Sequence, residues 1–303
     1  MLSQENKLRL ACVTVLAAVY AAGFYHPAPG KVLSVKDEAP WTPGRASLMS
    51  IMSAFSPPEA PPRLIAHAGG IYEGKVYTNS IAALEQSYAA GYRLLEVDLN
   101  LTTDNQIVLL HDWDYTVESV YGLSRGQRDL QTFLTETAPG YHRVAQLDDL
   151  ADWAMDHPGA RIMLDTKVAT VPILKTVAER YPELKAQFVP LIYQFQDYGT
   201  VSDLGFSNIS LLVSRGQYTP EALLAFARNH PLYSMSMQPE TLTQQLSALP
   251  RYTRVYIWTI NDMPTQGRLL DQQAYGVVTD TLRPPATPEP ATWIGIVSLL
   301  SKL

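Results

Sequence analysis

Between residues 96 and 112 the chain reads Glu-Val-Asp-Leu-Asn-Leu-Thr-Thr-Asp-Asn-Gln-Ile-Val-Leu-Leu-His-Asp. Glu96 and Asp98 lie two apart in an apolar run, so on a strand their side chains share one face. A polar turn at Asp104-Asn105 leads into a second apolar run that ends in His111-Asp112. Upstream, Leu64-Ile65-Ala66 runs into His67 beside Gly69-Gly70, and downstream Asp165 and Lys167 share a face of another apolar run. Glu96, Asp98 and Asp165 offer hard oxygen ligands, which suit Mg²⁺ or Ca²⁺. Two histidines, His67 and His111, titrate near neutrality and suit a general base and a general acid in an in-line displacement. Lys167 suits a non-bridging phosphate oxygen on which charge builds up. Singly, a strand-end histidine is most often structural and an Asp-x-Lys pair is an ion pair. Gathered at one place, so much charge is costly to bury without a cation or an anionic ligand. The set therefore predicts metal-assisted phosphoester hydrolysis.

The elements that position these groups alternate. Strand patterns cover Leu64–His67, Leu94–Leu99, Ile107–His111, Arg161–Lys167, Phe188–Gln194, Ile209–Ser214, Tyr233–Met237, Val255–Ile260 and Gly276–Thr279. Helical patterns cover Ser80–Ala90, Leu147–Asp156, Val171–Arg180, Pro220–Asn229, Leu242–Ala248 and Pro264–Gln273. Strand–helix alternation with near-continuous apolar strands predicts an α/β fold with a parallel sheet covered on both faces. Residues 63–283 suit a TIM (β/α)₈ barrel, whose functional groups gather where the strands end. Nine strand patterns exceed a closed barrel by one. The second and third are joined by too few residues for a helical crossover, so that connection is expected to be helix-free.

Eight of the 22 prolines fall in the linker 26–62, and four more open the tail 284–303. The formal charge of −6 excludes a nucleic-acid surface, which needs basic patches. A single cysteine, Cys12, excludes an intrachain disulfide and a cysteine-rich zinc site. Residues 1–25 carry Lys7 and Arg9 ahead of the apolar run Leu10–Phe24, the pattern of an export signal or a membrane anchor. The protein is accordingly expected to be exported (periplasmic or extracellular) or tethered to a membrane. The closing Ser301-Lys302-Leu303 matches a peroxisomal address, against which the N-terminal segment competes. His142, His157 and His230 lie in loop or helix-end contexts and read as structural.

Taken in order, these landmarks resemble the glycerophosphodiester phosphodiesterases, within the phospholipase-C-like phosphodiesterases on TIM barrels. His67-Ala68-Gly69 is similar to the family's His-Arg-Gly, and Thr78-Asn79-Ser80 to its Glu-Asn-Thr helix start. Glu96-Val97-Asp98, Thr102-Thr103-Asp104 and His111-Asp112 follow its Glu-x-Asp, Thr-x-Asp and His-Asp, with Asn105 in place of a glycine. Leu164-Asp165-Thr166-Lys167 resembles Leu-Glu-Ile-Lys, Trp258-Thr259-Ile260-Asn261 resembles Trp-Thr-Val-Asn, and Gly276–Asp280 resembles Gly-Ile-Ile-Thr-Asp. The resemblance implies His67 and His111 as the acid/base pair, Glu96, Asp98 and Asp165 as metal ligands, and Lys167 as a phosphate contact. Trp258 would line a glycerol or alcohol pocket, and the substrate would be a small phosphodiester or a phospholipid head group.

Three departures bear on substrate. Ala68 stands where an arginine would clamp phosphate in bidentate fashion. Asp165 is one methylene shorter than glutamate. Residues 70–77 replace a proline-containing lead into the first helix; Lys75 or Arg215 is a candidate for the missing positive charge. Two other readings stay open. A phospholipase-C-like or phospholipase-D-like lipid cleaver would show an apolar rim at the mouth. A non-catalytic phosphoester-binding barrel would have lost turnover with the arginine, although pure binding has no use for a histidine pair.

Overall fold

The computed structural model describes residues 61–136 and 142–285. The expected signal or anchor at 1–25, nearly all of the linker 26–62 and the tail from 286 lie outside the described residues. Among the described residues no helix is long and apolar enough to cross a membrane.

Nine strands form among the described residues, in chain order β1 (Leu64–Ala66), β2 (Leu94–Leu101), β3 (Ile107–Leu109), β4 (Arg161–Thr166), β5 (Phe188–Ile192), β6 (Ser210–Val213), β7 (Ser234–Met237), β8 (Arg254–Ile257) and β9 (Gly276–Thr279). Eight of them pair in parallel, and β1 closes the ring by pairing with both β9 and β2. The fold is a TIM barrel, as the alternation predicts. The ninth strand is β3. It lies antiparallel on β2, with Leu99 opposite Leu109 and Leu101 opposite Ile107. The connection between them is a helix-free turn in which Thr102 Oγ1 accepts from the Gln106 amide (2.8 Å) and Asn105 takes a left-handed φ of 59°. Asparagine tolerates that conformation nearly as well as the glycine it replaces.

Among the described residues eight α-helices surround the strands: α1 (Ile81–Ala89), α2 (Tyr115–Tyr121), α3 (Leu130–Thr135), α4 (Leu147–Asp156), α5 (Thr170–Arg180), α6 (Asp197–Asp203), α7 (Pro220–Asn229) and α8 (Met263–Asp271). The expected helix at Leu242–Ala248 is replaced by short 3₁₀ turns at Pro239–Thr241 and Gln244–Leu246. A stretch this short cannot offset helix nucleation. Helices α2, α3 and α6, which periodicity did not announce, run only six or seven residues. The first two stand on tertiary packing: Val117, Val120, Tyr121 and Phe133 form a separate buried cluster with Val108 and Leu110 of the β3 segment.

Period-two alternation sorts every barrel strand into an outer and an inner face. Leu95, Val97 and Leu99 of β2, Ile162 and Leu164 of β4, and Val255 and Ile257 of β8 join the main core under the helices. Ile65, Leu94, Met163, Val189, Leu191, Tyr256 and Val278 fill the barrel interior. At the amino end of the strands this interior is sealed: Tyr256 Oη donates to the Pro62 carbonyl at 2.5 Å, and a Cβ on Gly276 would lie 2.1 Å from the Arg63 carbonyl oxygen. Continuing each inner row toward the carboxyl ends replaces the apolar residues by His67, Glu96, Asp98, Asp165, Lys167, Tyr193, Trp258 and Asp280. The barrel is oily at one end and charged at the other.

Candidate active site

The buried carboxylates come from neighbouring strands in register. Asp98 of β2 lies beside Asp165 of β4, and Glu96 is one inner position below. One ligand oxygen from each of the three falls within 4.8 Å of the others. They are 0 to 6% exposed, so their charge has no recourse to water. Lys167 answers part of it, with Nζ 2.8 Å from Asp98 Oδ1 and 2.6 Å from Asp165 Oδ2. Burial alone would lower the Lys167 pKa, but these carboxylates raise it, so it stays an ammonium. Asp98, despite burial, is held below the usual carboxylate range by Lys167, His111 and His67. Glu96 goes the other way: burial first, and then the charge of Asp98, push it up.

The supporting bonds leave a particular vacancy in the hydrogen bonding. Asn79 makes two bonds to Asp98, its Nδ2 donating to Oδ2 (2.7 Å) and its Oδ1 accepting from the backbone amide (2.8 Å). Tyr193 Oη donates to Asp165 Oδ1. The Ala68 amide donates to Glu96 Oε2 at 2.7 Å, while Glu96 Oε1 is buried with no partner. A buried carboxylate oxygen without a partner costs roughly 1–3 kcal/mol or more. Three hard oxygen donors, one of them orphaned, and one lysine for three carboxylates make a set that a divalent cation fits.

The two histidines are tethered through the same ring atom. His67 Nδ1 lies 2.8 Å from Asp280 Oδ1, and His111 Nδ1 lies 2.8 Å from Asp112 Oδ2. Asp280 is itself fixed by Asn261, whose Nδ2 donates to Oδ2 (2.7 Å) and whose Oδ1 accepts from the Asp280 amide (2.8 Å). Asp112 accepts from the Asp114 and Thr116 amides and from the Thr116 hydroxyl, which caps the start of α2. Each tether leaves Nε2 as the ring nitrogen free for chemistry. Burial alone would depress His67, but the bond to Asp280 and the charges of Glu96 and Asp98 raise its pKa to about 9. Asp280 in turn sits below its ordinary value: burial opposes this, and the bonds from His67 and Asn261 overcome it.

Six of the seven predicted site residues thus meet around one acidic centre. The seventh, Trp258, continues the inner row of β8 above Tyr256, packs on the interior cluster and buries an unpartnered Nε1. Ala68 is fully buried at a left-handed φ of 47°, and Arg215 is exposed beyond β6. His157 and His230 bond to backbone carbonyls one helical turn back, and His142 stacks obliquely on Tyr72, as structural histidines do. Asn79, Tyr193, Asp280, Asn261 and the tethering role of Asp112 were not foreseen. Asp280 was discoverable, since it lies two residues past inward-facing Val278. Tyr193 carried the same signal, since it lies two residues past inward-facing Leu191.

Residues 68–253 match the model of the glycerophosphoryl diester phosphodiesterase family. Among curated proteins the chain is similar to lysophospholipase D GDPD1 of Homo sapiens, 23% identical over 264 residues that span 71% of this chain and 82% of that one. Its fold is similar to a glycerophosphodiester phosphodiesterase of Thermotoga maritima (TM-score 0.58, 18% identity, 78% of this chain and 97% of that one). It is likewise similar to an Oleispira antarctica phosphodiesterase solved with the product sn-glycerol-3-phosphate (TM-score 0.55, 16% identity, 72% and 93%). The family match spans more than half of the chain and contains the whole acidic centre, so this protein belongs to the glycerophosphoryl diester phosphodiesterase family and is a phosphoric diester hydrolase.

Proposed function

We propose that the protein hydrolyses glycerophosphodiesters or closely related lipid head groups, with His67 and His111 as the acid/base pair around a divalent cation, Mg²⁺ or Ca²⁺. The observation that carries this reading is the pair of imidazoles, each held by an aspartate at Nδ1, bordering three buried carboxylates. Bound to Glu96, Asp98 and Asp165, the cation would neutralise the diester and polarise its phosphorus. One imidazole takes the proton from the attacking hydroxyl, of water or of a neighbouring position on the substrate. The other gives a proton to the departing alcohol oxygen as the P–O bond breaks. Lys167 holds negative charge at the phosphoryl group, and Trp258 walls the alcohol side.

A lysophospholipid is the second reading, and an apolar rim favours it. Tyr115, Val168 and Met263 are 67%, 41% and 66% exposed, and they lie beyond β3, β4 and β8, on the face where the strands end. Export or tethering through residues 1–25 would bring such a mouth to lipid; sequencing the N-terminus of the purified protein tests it.

Turnover by the full chain, with Mg²⁺, Ca²⁺ or chelator, is to be measured against soluble glycerophosphodiesters and lysophospholipids, beside His111→Ala. Metal-dependent release of alcohol, lost in the variant, is expected. Preference for lysophospholipid selects the second reading. Tight phosphoester binding with no turnover in any metal would sink catalysis in favour of a binding barrel.

A further inference from the structure

One ring lies against both histidines. Tyr77 meets His67 edge-on with centroids 4.8 Å apart and His111 edge-on at 5.2 Å, and no other described aromatic touches the two. Its backbone takes a left-handed φ of 60°, costly for a bulky side chain, so the surroundings must enforce it. They do so on the C-terminal side. The Thr78 carbonyl accepts from the buried Tyr121 hydroxyl at 2.9 Å, and Asn79, also left-handed, is locked to Asp98 by its two bonds. A strained residue braced this way is being aimed.

The aim is toward the acidic centre. Tyr77 is about half-buried, and burial together with the charges of Asp280, Asp98 and Glu96 raises its pKa, so the phenol keeps its proton. Its hydroxyl has no hydrogen-bond partner among the described residues. Of the other donors nearby, Lys167 is engaged with Asp98 and Asp165 and the Ala68 amide with Glu96, while Trp258 Nε1 is buried without a partner. With a one-carbon side chain at position 68, the family's usual anion donor is missing from this mouth.

Resting on the phosphodiesterase reading above, we propose that Tyr77 is a substrate-binding residue. Its hydroxyl donates to one non-bridging phosphoryl oxygen between the two imidazoles, and its ring positions both of them. A neutral donor serves here because the oxygen carries charge and the bond is charge-assisted. The choice also bears on specificity: one hydroxyl, unlike a bidentate guanidinium, fixes a single phosphoryl oxygen.

Tyr77→Phe keeps the ring and removes only the donor, and since the hydroxyl has no partner among the described residues the variant is expected to fold like the parent. The loss of one hydrogen bond to a charged acceptor predicts a fall in kcat/KM of about ten- to a hundredfold. The two diastereomers of a phosphorothioate diester separate binding from packing, because sulfur accepts a hydrogen bond poorly. The parent should discriminate against sulfur at the oxygen that Tyr77 holds, and Tyr77→Phe should lose that discrimination while keeping the penalty at the other oxygen. Tyr77→Leu, which also removes the ring, should lower kcat further. Calorimetric binding of sn-glycerol-3-phosphate, with no turnover needed, should weaken in Tyr77→Phe by a similar factor.

Unchanged kcat/KM and unchanged diastereomer preference in Tyr77→Phe would overturn the proposal while leaving the phosphodiesterase reading intact. A parent that turns over no diester, yet binds the phosphomonoester more tightly than Tyr77→Phe, would sink that reading and keep Tyr77 as the anion donor. Equal binding in a parent without turnover would sink both.

Discussion

His67 sits at the seam where the barrel closes and takes its partner from just past β9, 213 positions along the chain, whereas His111 stands just past β3, the strand outside the barrel, and takes its partner from the next residue. The first ring is 15% exposed and the second 37%. Behind Asp280 is a loop residue, Asn261, doing nothing else for a helix; behind Asp112 is the capped start of α2. The same ring atom is thus held at the same distance by a long-range and by a local device. The long-range tether forms only when β1 and β9 have met, so His67 is set by closure of the whole barrel. The local tether ties His111 to a small satellite core. The difference teaches that geometry at the two imidazoles is equivalent while the cost of disturbing each is not.

The largest expected effects test equivalence. If each imidazole moves one proton, His67→Ala and His111→Ala should each lower kcat by about 10²–10⁴-fold in spite of their different burial. The double variant should be little worse than either, because residues that act as a unit do not add. Steady-state turnover decides it. A variant that retains most of the parental rate would break the symmetry and leave one histidine as the sole proton carrier.

Next in size is the centre that the two histidines border. Glu96→Gln keeps the shape, and the Ala68 amide can still bond to the amide oxygen. The orphaned Oε1 loses its charge. The parent should gain about 2.7 kcal/mol when cation is present at a hundred times its Kd. Glu96→Gln should lose most of that gain, read as the shift in Tm between metal and chelator. An equal shift in parent and variant would remove Glu96 from the ligand set.

The tethers come third, and they sharpen the comparison most directly. Asp280→Asn and Asp112→Asn should each lower kcat/KM by about 10-fold or more, by analogy with carboxylates that orient imidazoles in metal and acid/base sites. Stability should separate them. Asp112→Ala also removes a helix cap, worth roughly 1 kcal/mol, and for a domain of this size that lowers Tm by about 2–4 °C. Asp280→Asn preserves the bonding partners of Asn261 and should leave Tm in the metal-bound protein nearly unmoved. Equal losses of Tm would show the two tethers to be structurally alike after all.

How much of this was readable follows the same division. All nine strands were legible as short apolar runs, and so was the face shared by Glu96 and Asp98 and by Asp165 and Lys167, because period two needs only the local sequence. So was the exclusion of one strand's partner from the helical crossover rule, through the shortness of residues 102–106. Which strand lay outside the ring depended on closure, a pairing of chain ends, and no local pattern carries it. The site divides likewise. Glu96, Asp98 and His111 fall within one short stretch, and Asp112 was in view beside them. Tyr193, Asn261 and Asp280 reach the centre from separate strands and loops, and each alone is an ordinary polar residue. Tyr77 was visible only as part of an odd lead into α1; its meaning needs both rings on the page.

The smallest effect concerns pH and isolates the His67 tether. In the folded metal-free protein His67 titrates near 9, against 6.5 for the free side chain. A histidine whose folded pKa is raised binds its proton more tightly when folded, so it stabilises the fold in full below pH 6.5. That contribution fades as pH climbs, and it is gone above about 9. Glu96, also raised, pulls the same way, so the metal-free parent should lose Tm steadily from pH 6.5 to 9. Asp280→Asn removes the principal support of the His67 shift, and through the charge of His67, which lowers the Glu96 pKa, it reaches Glu96 as well. The difference in slope between the two proteins is therefore the share of His67 together with the response of Glu96 coupled to it. Since Asp280 supplies both a bond and a charge, the variant's Tm should fall less steeply across this window. Cation should flatten both curves, because it masks the charges of Glu96 and Asp98 that prop up His67. Parallel slopes in parent and variant, without metal, would mean that the Asp280 tether orients the ring and does nothing for its charge.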